Sequence, residues 1–171
     1  MIAARLALVT LVTLVVQVVV VSPISVAGGR GNVVLLLAIA AALETDAERG
    51  AIAGFAAGLA FDMLLDTPMG LSSLTGALVG WAVGMAKDSV LRDAAVIQLG
   101  LVAVASALGT LLYAGLAVVF GVTVDPGGLP AIVAVIAVVN VVFSKPMRWA
   151  LRWAFGPESR ARDRGPSVFR S

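Results

Sequence analysis

Residues 50–84 have the sequence GAIAGFAAGLAFDMLLDTPMGLSSLTGALVGWAVG, with two glycine-patterned apolar halves. Its first half has a strict spacing of four, which on a helix makes one nearly straight stripe of Gly50, Gly54, Gly58, Asp62 and Asp66. After a break at 66–70, the second half carries a stripe of its own, made of Gly76, Gly80 and Gly84. Two apolar helices with glycine faces and a short turn between them predict a close-packed membrane hairpin.

The composition around this hairpin is that of an integral membrane protein. Hydrophobic residues make up 60% of the 171-residue chain and charged residues 13%, against roughly 45–50% and about 25% in soluble domains. The mean hydropathy is +1.05, and the apolar residues come in long blocks, as in transmembrane helices. We therefore expect an all-α integral membrane protein with almost no soluble mass.

Several chemical functions are excluded by what the sequence does not contain. There is no Cys and no His, so disulfides, thiol chemistry and the usual zinc sites are excluded and the commonest general base is missing. Neither a nucleophile elbow nor a zinc-protease, Walker or dinucleotide motif occurs. We predict that the protein is not an enzyme, has no cofactor or metal site, and does not bind nucleic acid.

The apolar blocks predict about six transmembrane helices in one bundle, at about 4–22, 32–43, 50–65, 70–86, 94–120 and 129–154. The first block could mimic a secretory signal peptide, but its length and the membrane segment after it favour an uncleaved helix. The second block has twelve residues, fewer than the roughly 20 of a full span. It therefore either starts earlier, near Ile24, or is a half-span or tilted segment. We expect a multi-span domain over 1–155 and a disordered basic cytoplasmic tail over 156–171.

The positions of the basic residues predict the orientation. With six spans and both termini in the cytoplasm, Arg30 alone among the 12 Lys and Arg residues would face the outside. Only an even number of spans produces this bias, which follows the positive-inside rule.

Asp62 is the candidate functional residue. Twelve residues from Gly50 at about 1.5 Å each place it roughly 18 Å into the membrane, in the outer half, and Gln17, Ser72 and Ser73 fall in the same half. A carboxylate at that depth is costly, so it indicates a functional site by default. Two roles stay open, a site that faces a partner or ligand and a structural carboxylate that bonds a serine or caps a helix end. For Asp66 the role of a helix-end residue before a Pro turn is favoured.

Other polar and aromatic residues have ordinary membrane-protein interpretations. The glycine stripes favour helix packing within the chain over contact with another membrane protein. Asn140 is expected to make one interhelical hydrogen bond, and Trp81 to pack inside the bundle. A basic helical face with adjacent tryptophans is typical of a helix end at the inner headgroup layer, where it contacts membrane lipids; it comprises Lys145, Arg148, Arg152, Trp149 and Trp153.

The hairpin resembles the signature of the rod shape-determining MreD family, in which two glycines four residues apart are followed by Leu, Asp and a Gly-x-x-x-Leu. The matching positions here are Gly54, Gly58, Leu59, Asp62, Gly70 and Leu74. The resemblance implies a multi-pass, non-enzymatic protein of the bacterial inner membrane that belongs to the cell-elongation complex. It implies scaffolding of peptidoglycan synthesis with MreC, and association through the complex with MreB, RodA and a penicillin-binding transpeptidase.

The family is also similar in fold to the six-helix substrate-binding components of energy-coupling-factor vitamin transporters. That similarity gives the alternative function, in which the polar residues of the outer half would hold a vitamin. Aromatic and polar loop residues, which would cover such a pocket, are sparse in this sequence.

Overall fold

The computed structural model describes residues 2–21, 25–26, 29–30, 32–64, 70–90 and 95–163. Within these ranges the chain is almost entirely helical, with α1 (Ile2–Val15), α2 (Val33–Glu44), α3 (Ala47–Asp62), α4 (Leu71–Val90), α5 (Ala95–Val119) and α6 (Leu129–Asp163). A π-helical segment, Val16–Val21, continues α1. A two-stranded antiparallel hairpin of β1 (Ser25–Val26) and β2 (Gly29–Arg30) precedes α2, with Ser25 opposite Arg30. The prediction of an all-α chain with six helices is confirmed apart from this small hairpin.

Three of the helices are long and apolar enough to cross a membrane, at Ile2–Val21, Val96–Val119 and Leu129–Gly156. The chain is therefore a membrane protein. Helix α2 is apolar but short. Helices α3 and α4 contain glycine, serine, threonine and charged residues, which lower their mean hydropathy. The count of six spans stays a prediction.

Helix α2 forms the core of the molecule. All ten residues from Val33 to Ala42 are buried, although the helix is only about 18 Å long. One side contributes Val34 and Leu37 to a cluster with α1, α3 and α6, and the other contributes Leu36 and Ile39 to a cluster with α4 and α5. Because the other five helices cover it, α2 does not need the length of a lipid-facing span.

Of the two alternatives for the second helix, a start near Ile24 is wrong, and the short helix predicted at 32–43 is observed at Val33–Glu44. Residues 25–26 and 29–30 form the strands of the small hairpin, and the helix begins only at Val33. The side-chain oxygen of Asn32 accepts a hydrogen bond from the Leu35 N–H at 2.9 Å and caps the first turn. The limits of the next helix also differ from prediction, because Asp46 accepts from the Arg49 N–H at 2.8 Å and starts α3 at Ala47.

Local hydrogen bonds define both ends of the loop between α5 and α6. Gly121, at φ 79°, ends α5: its N–H donates to the Val118 carbonyl at 3.0 Å, and the Val122 N–H donates to the Ala117 carbonyl at 2.8 Å. This is the Schellman pattern, which favours glycine in the left-handed conformation. Before α6, the Asp125 carboxylate accepts from the N–H groups of Gly127 and Gly128.

Helix α6 is interrupted at Gly156, where φ is 71° and ψ is −178°. The backbone is helical again as far as Asp163, and 164–171 lie outside the described residues. The disorder that we predict for 156–171 stays a prediction. The expectation that Trp81 packs inside the bundle is wrong: this side chain is 53% exposed.

Candidate functional site

The glycine stripes of α3 and α4 face each other. A Cβ atom built on Gly50, Gly54 or Gly58 would lie closer than 3.0 Å to backbone atoms of α4, at Gly80, Gly76 and Ser72 respectively. At the far end of this ladder, Gly84 meets the backbone of Ala47. The two helix backbones are therefore in direct contact, which a side chain at any of these levels would prevent.

This close approach places the Asp62 carboxylate at the start of α4. Its oxygen Oδ2 accepts hydrogen bonds from the N–H groups of Gly70 at 3.0 Å, Ser72 at 3.1 Å and Ser73 at 3.2 Å, and from the Ser73 hydroxyl at 3.1 Å. The Ser72 N–H is also 3.1 Å from Oδ1. Asp62 thus caps a helix that follows it in the chain, and its negative charge lies at the positive end of that helix dipole.

The cap is a buried group. Asp62 is 1% exposed and so is Ser73. Gly70, at φ 98°, adopts the left-handed conformation that brings its N–H to the carboxylate. Among the described residues the hydrogen-bond partners of Asp62 are backbone N–H groups and a hydroxyl. Asp66 lies outside the described residues. Of the two roles considered for Asp62, its hydrogen bonds show the structural one, in which it caps a helix. Contact with a partner stays a prediction.

Of the other polar residues predicted near Asp62, Ser72 and Ser73 bond its carboxylate, whereas Gln17 serves the start of α2. The Gln17 side-chain oxygen, within the π-helical segment, accepts from the Val33 N–H at 2.8 Å. A small cleft lies beside them, with a volume of about 10 Å³ and polar lining from Asn32, Ser72 and Thr75. That space suits about one water molecule, whereas small-molecule pockets have about 300–1,000 Å³.

A second polar centre, which the sequence analysis missed, lies at the opposite end of α2. The Glu44 carboxylate accepts from Arg148 Nε at 2.5 Å and from Arg152 Nε at 2.8 Å. Arg148 also donates to the Gln98 side-chain oxygen of α5. We refer to Glu44, Arg148, Arg152 and Gln98 as the Glu44 network. It corrects the interpretation of Arg148 and Arg152 as a headgroup-facing surface alone, since both bind a carboxylate of the core helix.

The same end of the bundle has one further tie. The Lys87 ammonium of α4 donates to the Thr45 carbonyl oxygen in the turn between α2 and α3. The Thr45 hydroxyl donates to the Ala41 carbonyl at 2.6 Å. Side chains therefore donate to two carbonyl groups at the end of α2, those of Ala41 and Thr45.

The expected interhelical hydrogen bond of Asn140 is confirmed. Its Nδ2 donates to the Ser106 hydroxyl oxygen of α5 at 2.9 Å, with both residues fully buried. Within the described part of the chain, no group of three or more His, Cys, Asp or Glu side chains could hold a metal ion.

These features define a small, all-helical membrane protein built around a short buried helix and a glycine-packed hairpin. The comparisons with known proteins identify its family. The family model described as rod shape-determining protein MreD matches residues 2–151, and the chain belongs to this family. Comparisons with curated proteins and with solved structures found no match.

The family assignment confirms the resemblance seen in the hairpin and favours a shape-determining protein over a vitamin-binding transporter component. The predicted similarity in fold to such components is not confirmed by a solved structure.

Proposed function

We propose that the chain is a non-enzymatic scaffold of the rod-shape complex in the bacterial inner membrane, and that it supports peptidoglycan synthesis together with MreC. The observation that carries the proposal is the family match over 2–151. MreB, RodA and the penicillin-binding transpeptidase are contacted through the assembly.

The motif residues support this function by shaping the hairpin. Gly54 and Gly58 bring α4 onto α3, and Asp62 and Gly70 fix the turn that follows. On the outside of this turn, Met63 and Leu64 are exposed. The motif therefore fixes the position of an apolar surface, formed by Met63 and Leu64, at the end of the hairpin. The membrane segment of MreC binds to this surface.

The proposed topology has six spans with both termini in the cytoplasm, which places the Asp62 end of the hairpin on the outer side. The observation behind it is the bias of Lys and Arg toward one side. Reporter fusions after Arg30 and Asp125 are expected to be outside, and fusions after Asp46 and at the C-terminus inside. A C-terminus found outside would contradict this topology.

The functional test is Asp62→Asn, with Asp125→Asn as its matched control. Both carboxylates accept bonds from nearby backbone N–H groups, but only Asp62 belongs to the motif. In cells that lack the natural copy, Asp62→Asn is expected to accumulate in the membrane, to capture less MreC per molecule and to fail to restore rod shape. Asp125→Asn is expected to behave as wild type. Normal MreC capture and normal shape with Asp62→Leu would refute partner contact at this end of the hairpin.

A further inference from the structure

A groove with a volume of about 790 Å³ lies between α1 and α3. Helix α1 forms one wall with Leu6 and Leu14, and α3 forms the other with Ile52 and Ala56. Leu151 of α6 contributes to its lining. The groove is continuous with the lipid-facing surface, because Ile52 and Ala56 are also exposed.

The groove exists because α1 packs mainly against α6 and only lightly against α3. Small side chains on the facing walls then leave the space open, with Ala3 and Ala7 on α1 and with Ala53, Ala56 and Ala60 on α3. A volume of about 790 Å³ lies within the range of about 300–1,000 Å³ for small-molecule sites.

The lining of the groove is nearly all apolar. Its charged side chain is that of Arg49, in the first turn of α3. Among the described residues, Arg49 pairs with Asp46 at 3.6 Å, and its side chain is 37% exposed. Because an arginine carries five N–H donors, this pair leaves donors that can face an anion in the groove.

Arg5, on α1, already interacts with α6. Its guanidinium lies 5.2 Å from the ring centroid of Trp153 and donates to the Trp153 carbonyl at 3.5 Å. Arg49 is therefore the cation that the groove offers to a ligand, and it lies at the end of α3 where charged residues mark a membrane surface.

We propose that this groove binds an anionic phospholipid, with an acyl chain between α1 and α3 and the phosphate against Arg49. An apolar groove with a cation at the end that lies near the membrane surface matches a ligand with an apolar tail and an anionic head. A partner helix fits less well, since a span about 30 Å long and 10–12 Å wide occupies about 2,400–3,400 Å³. The groove could take in about a third of that volume or less. The lipid site is independent of the rod-shape function and of which end faces the cytoplasm.

The test uses the full chain in mild detergent, with native mass spectrometry to count bound lipids. Phosphatidylglycerol and phosphatidylcholine with identical acyl chains are added separately, and inorganic phosphate is a third probe. Wild type is expected to prefer phosphatidylglycerol by about fivefold, the contribution of one cation near an anionic headgroup. Arg49→Gln should bring that ratio near one, whereas Lys145→Gln, an exposed cation of α6 outside the groove, should leave it unchanged.

The tail is tested with substitutions that fill the groove. Ala56→Phe, and Ala60→Leu as a second variant, should reduce retention of both lipids severalfold. The control, Ala82→Phe, places the same ring on an exposed position of α4 outside the groove and should retain lipid as wild type does. Monodisperse elution of each variant verifies folding.

Four results would overturn the proposal. The first is equal retention of the two lipids by wild type, and the second is equal retention by Ala56→Phe and Ala82→Phe. The third is a dimer that Ala56→Phe alone converts to monomer, since the groove would then hold a second copy of the chain. Binding of inorganic phosphate without lipid retention would also contradict it.

Discussion

The two polar centres at opposite ends of α2 use carboxylates in different ways. Among the described residues, Asp62 accepts from backbone N–H groups and a hydroxyl, all within eleven residues along the chain. Glu44 is paired with two arginines that lie 104 and 108 residues away. Asp62 therefore closes a turn inside one hairpin, whereas Glu44 joins the core helix to α6.

This difference indicates how the bundle is held together. The hairpin of α3 and α4 is fixed by backbone contact and by its own cap, and both of its helices also pack against α2. The α2–α6 interface depends on charged groups that meet only when the whole bundle has formed. Changes at the two centres should therefore have separable effects, local at Asp62 and global at Glu44.

The largest expected effect comes from breaking the contact that positions the Asp62 donors. Gly54→Leu places a side chain where the Gly76 backbone lies closer than 3.0 Å. It should separate α3 from α4 and cost at least the upper end of the roughly 1–3 kcal/mol of overpacking. We expect loss of the folded protein from membranes, measured by its yield as a monodisperse species in mild detergent.

The matched control for Gly54→Leu is Gly115→Leu on α5. A Cβ at Gly115 meets nothing within 4 Å, so this substitution should change stability by no more than about 0.5 kcal/mol. Equal yields of the two variants would show that the backbone contact between α3 and α4 is dispensable.

Residue spacing made the hairpin accessible to prediction. The fourfold repeat from Gly50 to Asp62 is a local pattern, because residues four apart share a helix face. The same reasoning offers a capping role for Asp62, since Ser72 and Ser73 follow ten and eleven residues later, after the predicted break. The short second helix was predicted at 32–43 and is observed at Val33–Glu44, but the apolar run gives no sign that 25–26 and 29–30 pair as strands.

The Glu44 network could not be predicted, for a physical reason. Arg148 and Arg152 are four apart and share a face, but nothing in the sequence indicates that this face meets the end of α2. The pairing depends on how α2 and α6 pack, which is a tertiary property. The available signal was a single carboxylate, Glu44, at the end of an apolar helix.

A smaller loss of stability is expected when the Asp62 cap is removed. Asp62→Leu leaves three backbone N–H groups and a hydroxyl without their acceptor, and should cost about 1–2 kcal/mol. Asp62→Asn keeps one carbonyl oxygen, which can replace Oδ2, and should cost less. The thermal midpoint of the purified chain in detergent measures both, with Asp125→Asn as the exposed control. A larger loss with Asn than with Leu would contradict the capping role.

The smallest effect is expected at the Glu44 network. Glu44→Gln removes the charge and keeps an acceptor, so it leaves two arginines without a counter-ion. Arg148 is 20% exposed and Arg152 49% exposed, so both can reach the interfacial water, and the cost should be about 1 kcal/mol rather than that of a fully buried pair. Glu48→Gln, an exposed carboxylate on α3, is the control and should be neutral.

Double-mutant cycles then show which arginine holds α6 to α2. Coupling of Glu44 with Arg148 should exceed coupling with Arg152, since the more buried pair is less screened by water. Raising the salt concentration should weaken the Arg152 coupling more than the Arg148 coupling, because exposed charges are screened first. If the Arg152 coupling is the larger, or if both vanish equally in salt, the pairs belong to the surface and do not fix the core. In that case the end of α2 depends on Lys87 and Thr45 instead, and Lys87→Gln would be the more damaging substitution.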